Sequence, residues 1–214
     1  MILKYLKEVE STQKYLKNYI YRTNSINKIC FYTYEQTLGQ GSQNNTWEGK
    51  KGNLFFSFVI PMSDLPKDLP LQSASIYFSF ILKNILSNMG SNIILKWPND
   101  FYISSDKIGG LITNKIKDNL ICGIGINIIK TKSYNGCLDI NIDKYNLLKQ
   151  YFEELEIYPT WKQIFSKYKL EFHHNKKYFT NINNEKLSMV DATLNEDGSL
   201  NINKQKVYSL RWLK

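Results

Sequence analysis

The period of the apolar residues changes along the chain, and each change marks an element. In STQKYLKNYI, Tyr15, Leu16, Tyr19 and Ile20 recur at helical spacing behind Ser11, a natural N-cap, so a helix is expected from Thr12. KICFYTYE (28–35) has the β-branched and aromatic content of a strand. NLFFSFVI (53–60) is apolar enough to be covered on both faces. A helix is expected from about Leu71, with Ile81, Leu82, Ile85, Leu86 and Met89 on one side and Gly90 as its stop. KWPNDFYISSDKIGG (96–110) reads as two short extended segments joined by polar turns. LITNKIKDNLICGIGINII reads as a hairpin turning near Asp118 and Asn119. Two amphipathic helices follow, one capped by Asp143 with Leu147, Leu148, Tyr151, Phe152 and Leu155 on its face, the other from Thr160 with Trp161, Ile164, Phe165 and Tyr168. From Tyr178 the chain breaks into short strand-like runs between NN, EDG and NK turns, which points to a small β appendage.

At 214 residues the chain is long enough for one domain with a real core and such an appendage. A content of 43% hydrophobic and 14% aromatic residues excludes disorder, and apolar runs such as Leu54 to Ile60 are strand-sized, so no membrane partner is expected. MILKYLKEVES lacks the apolar core of a secretion signal, and a cytoplasmic location is expected. Cys30, Cys122 and Cys137 are odd in number without CxxC spacing, which speaks for buried thiols rather than disulfides or a zinc site. A net charge of +9 brings nucleic acid, a membrane surface or an acidic protein into view. The lysines are scattered, however, and Arg22 and Arg211 are the only arginines, the residue that base-edge readers favour, so no nucleic-acid partner is expected.

Chemistry concentrates in a few stretches. Pro98 fixes φ and removes a donor, so regular pairing should break there and present Asn99 and Asp100 at a strand end. Lys107 opens the next segment, and Gly109 and Gly110 allow close approach of a ligand or a neighbouring backbone. QTLGQGSQNNTW (36–47) is a polar loop able to wrap a small ligand with backbone N–H groups, although it lacks the Lys-Ser/Thr pair of a P-loop. Gly123, Gly125 and Asn127 lie in a strand that glycines weaken unless something must come close or a bulge is needed. His173 and His174 have no carboxylate or cysteine at ligand spacing and read as a solvated pair.

Taken in order, ESTQ, EQTLGQGSQNNTW, KWPND, DKIGG and GIGIN resemble the biotin–protein ligases, also called biotin–[acetyl-CoA-carboxylase] ligases, over Glu10 to about Ile128. The pair KWPND and KIGG is the specific part; EDGSL and YSLRW are looser matches to that family's C-terminal β module. The resemblance implies an α/β (α+β) fold, with a mixed sheet flanked by helices in a catalytic unit (1–175) and a small SH3-like β-barrel (176–214). With ten residues before Ser11, the chain resembles the short form without a DNA-binding domain. The implied reaction is ATP-dependent activation of biotin to biotinoyl-5′-AMP, then transfer to a lysine of the biotin carboxyl carrier domain of acetyl-CoA carboxylase. Mg²⁺ would arrive with ATP rather than in a protein-built metal site. Oligomeric state is left open.

The resemblance also implies site residues. Ser11, Thr12, Gln13 and Gln36, with Gly39, Gln40, Gly41 and Ser42, match the segments that hold biotin, and Gly110, Gly123 and Gly125 match positions lining it. A neutral ureido ring suits neutral donors and acceptors, since an uncompensated buried charge is costly. Trp47, Lys96, Asn99 and Asn127 match nucleotide-side positions. Lys107 matches the lysine that contacts both the biotin carboxylate and the α-phosphate, where fixed positive charge lowers the barrier between two anions. Asp100, with Lys96, is the candidate for handling the incoming amine. A departure lies in the loop, where the family commonly writes GRGRxGRxW and Gln40, Ser42 and Asn45 replace the arginines. Rival readings are a lipoate- or octanoyl-protein ligase, which needs an apolar acyl slot, and a non-catalytic ligand- or DNA-binding regulator, suggested by the charge and the altered loop.

Overall fold

The computed structural model describes residues 1–23, 28–41, 45–130, 136–182 and 185–208. In chain order the first strands are β1 (Ile2–Tyr5), β2 (Ile29–Thr33), β3 (Gly39–Gln40), β4 (Thr46–Trp47), β5 (Leu54–Pro61), β6 (Ile94–Lys96), β7 (Asp100–Ile103), β8 (Asp106–Ile116) and β9 (Asn119–Ile126). Seven of them form one sheet in the order β1-β2-β5-β9-β8-β7-β6, while β3 and β4 make a separate short ladder. The sheet is mixed because β1 runs parallel to β2 and the other pairs are antiparallel.

Helix α1 (Thr12–Thr23) lies on one face of this sheet, where Leu16 and Ile20 meet Ile29, Phe31, Val59 and Ile121. On the other face, α2 (Ala74–Asn88) is backed by α3 (Lys144–Glu156) and α4 (Trp161–Glu171). Strand β5 is buried on both faces, with Phe56 and Phe58 turned to the larger core and Val59 to the α1 side. That is what its unbroken apolar run required. Asp143 caps α3 by accepting from Asn146 N at 2.7 Å. Thr160 and Gln163 form a capping box on α4, and Asp68 accepts from Trp161 N and Lys162 N, both at 3.0 Å.

Three features differ from the expectation. Helix α2 is buried almost all round rather than along one side, because it is the middle layer between the sheet and two helices; it starts at Ala74 after a 3-10 turn, and Met89 is 40% exposed. The lead before Ser11 supplies β1, an edge strand whose mostly exposed residues carry little periodic signal. In place of one closed barrel, the described tail residues form two small sheets. One pairs β10 (Phe179–Ile182) with β11 (Glu185–Ser188), and the other joins β12 (Thr193–Leu194), β13 (Leu200–Ile202) and β14 (Gln205–Val207).

The tail is fastened to the strands that carry the charged motif. Trp97 is buried and donates through Nε1 to the Gly198 carbonyl at 2.9 Å. Asn175, also buried, accepts from Trp97 N at 2.6 Å and donates to the Leu95 carbonyl at 3.2 Å, so one amide brackets Lys96 on both sides. Asn175→Ala would leave two buried backbone groups without partners, and a loss of about 2–4 kcal/mol in unfolding free energy is expected. Urea denaturation monitored by tryptophan fluorescence checks it.

Candidate functional site

The strand register brings the motifs together on one face of the sheet. Reading across β6, β7, β8, β9 and β5, one row runs Lys96, Asp100, Gly110, Gly125, Phe55. A second row runs Ile112, Gly123, Ser57, Phe31 from β8 through β9 and β5 to β2. Both lie on the α1 side, since side chains alternate faces along each strand. Where Gly110, Gly123 and Gly125 replace side chains, the face is hollowed into a trough, part of a cleft of about 500 Å³. The glycines are needed at this spot. A Cβ at 123 would stand 2.5 Å from Gln13 Oε1, one at 125 would stand 3.1 Å from the Trp47 indole nitrogen, and one at 110 would stand 3.2 Å from Asp100 Oδ1. Gly109, one residue away, points to the other face, where a Cβ would come within 2.6 Å of the Gly125 carbonyl oxygen, so its role is to let β8 and β9 pack.

One wall of the trough is neutral and polar. Gln36 Oε1 accepts from Thr12 N at 2.8 Å and from Thr12 Oγ1 at 3.1 Å, and Thr12 Oγ1 lies 2.8 Å from Ser57 Oγ. Gln13 donates to Asn114 Oδ1 at 3.2 Å, and its own buried Oε1 has no hydrogen-bond partner. Ser11 Oγ accepts from Lys14 N at 3.4 Å, at the N-cap of α1. Gln36 is held by pairing of Val9 with Gln36 and by donation from Gln36 N to the Gly49 carbonyl at 2.8 Å.

The opposite wall is charged. Lys107 Nζ lies 2.7 Å from Asp100 Oδ1 and 5.5 Å above the Trp47 ring. Lys96 Nζ is 4.0 Å from the other oxygen of the same carboxylate and 5.3 Å over the Tyr102 ring. Burial pulls the Lys96 ammonium below its ordinary pKa; Asp100 opposes the shift, while the charges of Lys107 and of Lys186, from β11 of the tail, add to it. Burial, Asp100 and Tyr178 together push the Tyr102 phenol up to about 12.

Of the residues singled out in the sequence, Ser11, Thr12, Gln13, Gln36, Gln40, Gly41, Trp47, Asn99, Asp100, Lys107, Gly110, Gly123 and Gly125 line this cleft. Lys96 joins it through Asp100. Gly39 belongs to the adjoining depression inside the loop, and Ser42 lies outside the described residues. Asn127 is apart from the lining: it is buried, and its amide donates to the Gly136 carbonyl at 3.5 Å. Ser57, Asn114 and Lys186 were not foreseen. A lone hydroxyl inside the apolar run LFFSFVI was the available signal for Ser57; Lys186 had none, because only the fold of the tail brings it near Lys96. His173 and His174 are exposed, and among the described residues no group of three His, Cys, Asp or Glu side chains is placed to hold a metal ion.

The model of the biotin/lipoate A/B protein ligase family matches residues 5–128, more than half of the chain and all of this cleft. The chain belongs to that family. It is 31% identical over 137 residues to biotin–protein ligase 1, chloroplastic, of Arabidopsis thaliana, covering 58% of this chain but 37% of that protein. It thus spans well under half the length of such curated relatives. The biotin acetyl coenzyme A carboxylase synthetase of Helicobacter pylori, solved with biotinylated ATP bound, is 36% identical, with a TM-score of 0.92 over 96% of this chain and 98% of that one. Biotin protein ligase from Aquifex aeolicus shares the fold with a TM-score of 0.75 at 24% identity, over 97% and 94% of the two chains.

Ser57→Ala removes the buried partner of the Thr12 hydroxyl while leaving Thr12 bonded to Gln36. A loss of about 1 kcal/mol in stability is expected, measured by chemical denaturation.

Proposed function

We propose that this protein is a biotin–protein ligase: it joins biotin to ATP as biotinoyl-5′-AMP, releasing pyrophosphate, and passes the biotinoyl group to a lysine of a biotin carboxyl carrier domain. The observation that carries this reading is the division of the trough. The neutral hydrogen-bonding groups lie on α1 and β5, and the charged groups are Lys107 on β8, Asp100 on β7 and Lys96 on β6, so Lys107 and Asp100 stand two and three strand spacings from β5, about 10 and 14 Å. That span suits a ligand with a polar, uncharged head and a carboxylate at the end of an aliphatic chain. A lipoyl or octanoyl group would leave the Thr12, Ser57, Gln36 and Gln13 polar groups buried against hydrocarbon, which disfavours those substrates.

In the first step a biotin carboxylate oxygen attacks the α-phosphorus of ATP, a P–O bond forms, and pyrophosphate leaves. Lys107, at the mouth of the trough, is placed to neutralise both anions as charge grows in the transition state. Mg²⁺ is proposed as the ion that accompanies ATP; Asp100 is already engaged by two lysines and is a poor metal ligand. In the second step the lysine amine attacks the acyl carbon, the C–N bond forms, and AMP leaves with the electron pair of the C–O bond. A lysine with pKa about 10.4 costs roughly 4.6 kcal/mol to deprotonate at pH 7. Asp100 is the proposed acceptor of that proton. Residues 1–175 form the catalytic unit in this proposal, and residues 176–214 form a β unit that buttresses it.

Biotin-dependent exchange of labelled pyrophosphate into ATP tests the reading, and Lys107→Ala is expected to abolish it; robust exchange in that variant would remove Lys107 from the mechanism. A second prediction concerns the loop. With Gln40 where the family commonly has arginine, a charge-assisted phosphate contact of about 1.5–3 kcal/mol is missing, so the adenylate should escape more readily. Gln40→Arg should slow its dissociation by about tenfold in a filter-retention assay.

A further inference from the structure

The site contains an anion of its own in the place where the mechanism needs Lys107 to meet another one. Asp100 Oδ1 is 2.7 Å from Lys107 Nζ, while Asp100 Oδ2 is 4.0 Å from Lys96 Nζ. All three side chains are partly withdrawn from water, with exposures of 35% for Lys107, 24% for Asp100 and 15% for Lys96. An ammonium so engaged cannot bind a substrate carboxylate and phosphate at full strength. Both groups are occupied by each other.

Building on the reading above, we infer that the Lys107–Asp100 ion pair links the two half-reactions: the substrate anions draw Lys107 away from Asp100, and only then is Asp100 free to take the proton of the incoming lysine. Three features of the site fit this exchange. Lys107 sits on β8 just beyond the shift of register between Phe101 and Tyr102, and its flexible side chain reaches over the Trp47 ring toward the trough. Asp100 stands on β7 opposite Gly110, whose lack of a Cβ leaves room for the carboxylate: a Cβ there would lie 3.2 Å from Oδ1. Lys96 stays behind on the neighbouring strand, fixed by the Asn175 bracket around it and by Tyr102 beneath it. When Lys107 moves to the adenylate, the carboxylate keeps the more distant cation, Lys96, 4.0 Å away. Until that exchange Asp100 remains paired with Lys107. The acceptor ammonium gives one proton to Asp100, the amine forms the C–N bond, AMP leaves with the electron pair of the broken C–O bond, and the second proton lost by the nitrogen as the amide forms leaves on the AMP phosphate.

The inference makes Asp100 a competitor in the first step and a base in the second, which a purely structural role would not do. Asp100→Asn keeps the size of the side chain and removes its charge. Pyrophosphate exchange should show the KM for biotin lowered by about fivefold or more in this variant. Single-turnover transfer from preformed biotinoyl-adenylate to carrier lysine should fall by about 100-fold or more. Transfer to hydroxylamine, an amine already neutral at neutral pH, should change less than about threefold. Asp100→Ala should move all three readings in the same directions. A biotin KM that is unchanged or raised in both variants, or equal losses for lysine and hydroxylamine, would overturn the inference. Failure of the unaltered protein to show biotin-dependent exchange would instead overturn the function on which it rests.

Discussion

The cross-strand register of β7, β8 and β9 is the constraint on which the site depends. Because side chains alternate faces with a period of two, a slip of one residue would turn Gly110, Gly123 and Gly125 into the core and push Leu111, Ile124 and Ile126 into the trough. The register is held by the apolar partners on the far face, where Ile108, Leu111, Ile124 and Ile126 pack in the larger core. It is also held by the two-residue turn at Lys117 and Asp118 that joins Ile116 to Asn119. Packing on one side of the sheet thus decides where empty space appears on the other. The floor of the trough is left by omission of side chains at three positions of β8 and β9, and Gln36, Gln40, Gly41 and Trp47 line it from the loop.

Once the space exists, its two walls differ in what they can tolerate. On the α1 side, each buried polar group except Gln13 Oε1 finds a neutral partner, so a neutral head group can enter without stranding a charge. On the β7 side, two lysines share one carboxylate, leaving net positive charge where the proposed reaction would gather its anions. In the proposed reaction, the absence of arginine from the described part of the glycine loop would concentrate this duty on Lys107. An ammonium on a four-carbon stem can serve two anions in succession more easily than a rigid fork of donors, at the cost of a weaker hold on the product of the first step.

The C-terminal β unit is coupled to the same charges. Trp97, Asn175 and Gly198 tie it to β6, and the Tyr102 ring stands between Lys96 and Tyr178, 5.0 Å from the latter. Tyr178 also donates to the Ser104 carbonyl at 2.5 Å, across the turn from β7 into β8. The tail is thus a buttress for the charged wall, and its Lys186 adds to the positive field that Lys96 feels.

The helices from Thr12, Asp143 and Thr160, the doubly buried β5 and the hairpin, expected to turn near Asp118 and Asn119 and found to turn one residue earlier at Lys117 and Asp118, were legible in the sequence because capping residues, period and turn chemistry are local signals. So was the list of candidate site residues, carried by KWPND, KIGG and the glycine loop, and nearly all of it converges on one cleft. What stayed hidden was what depends on neighbours distant in sequence. The middle-layer burial of α2 comes from helices far along the chain. Edge strand β1 exists only because β2 offers it a free row of backbone groups. Ser57 becomes a site residue only when β5 is aligned with β9. The sequence by itself determined which chemical groups are available and which local elements carry them. Tertiary structure alone decided that Asp100 would lie between two lysines, because distances of a few ångströms between strands are set by register and packing, and neither is written in any one stretch of the chain.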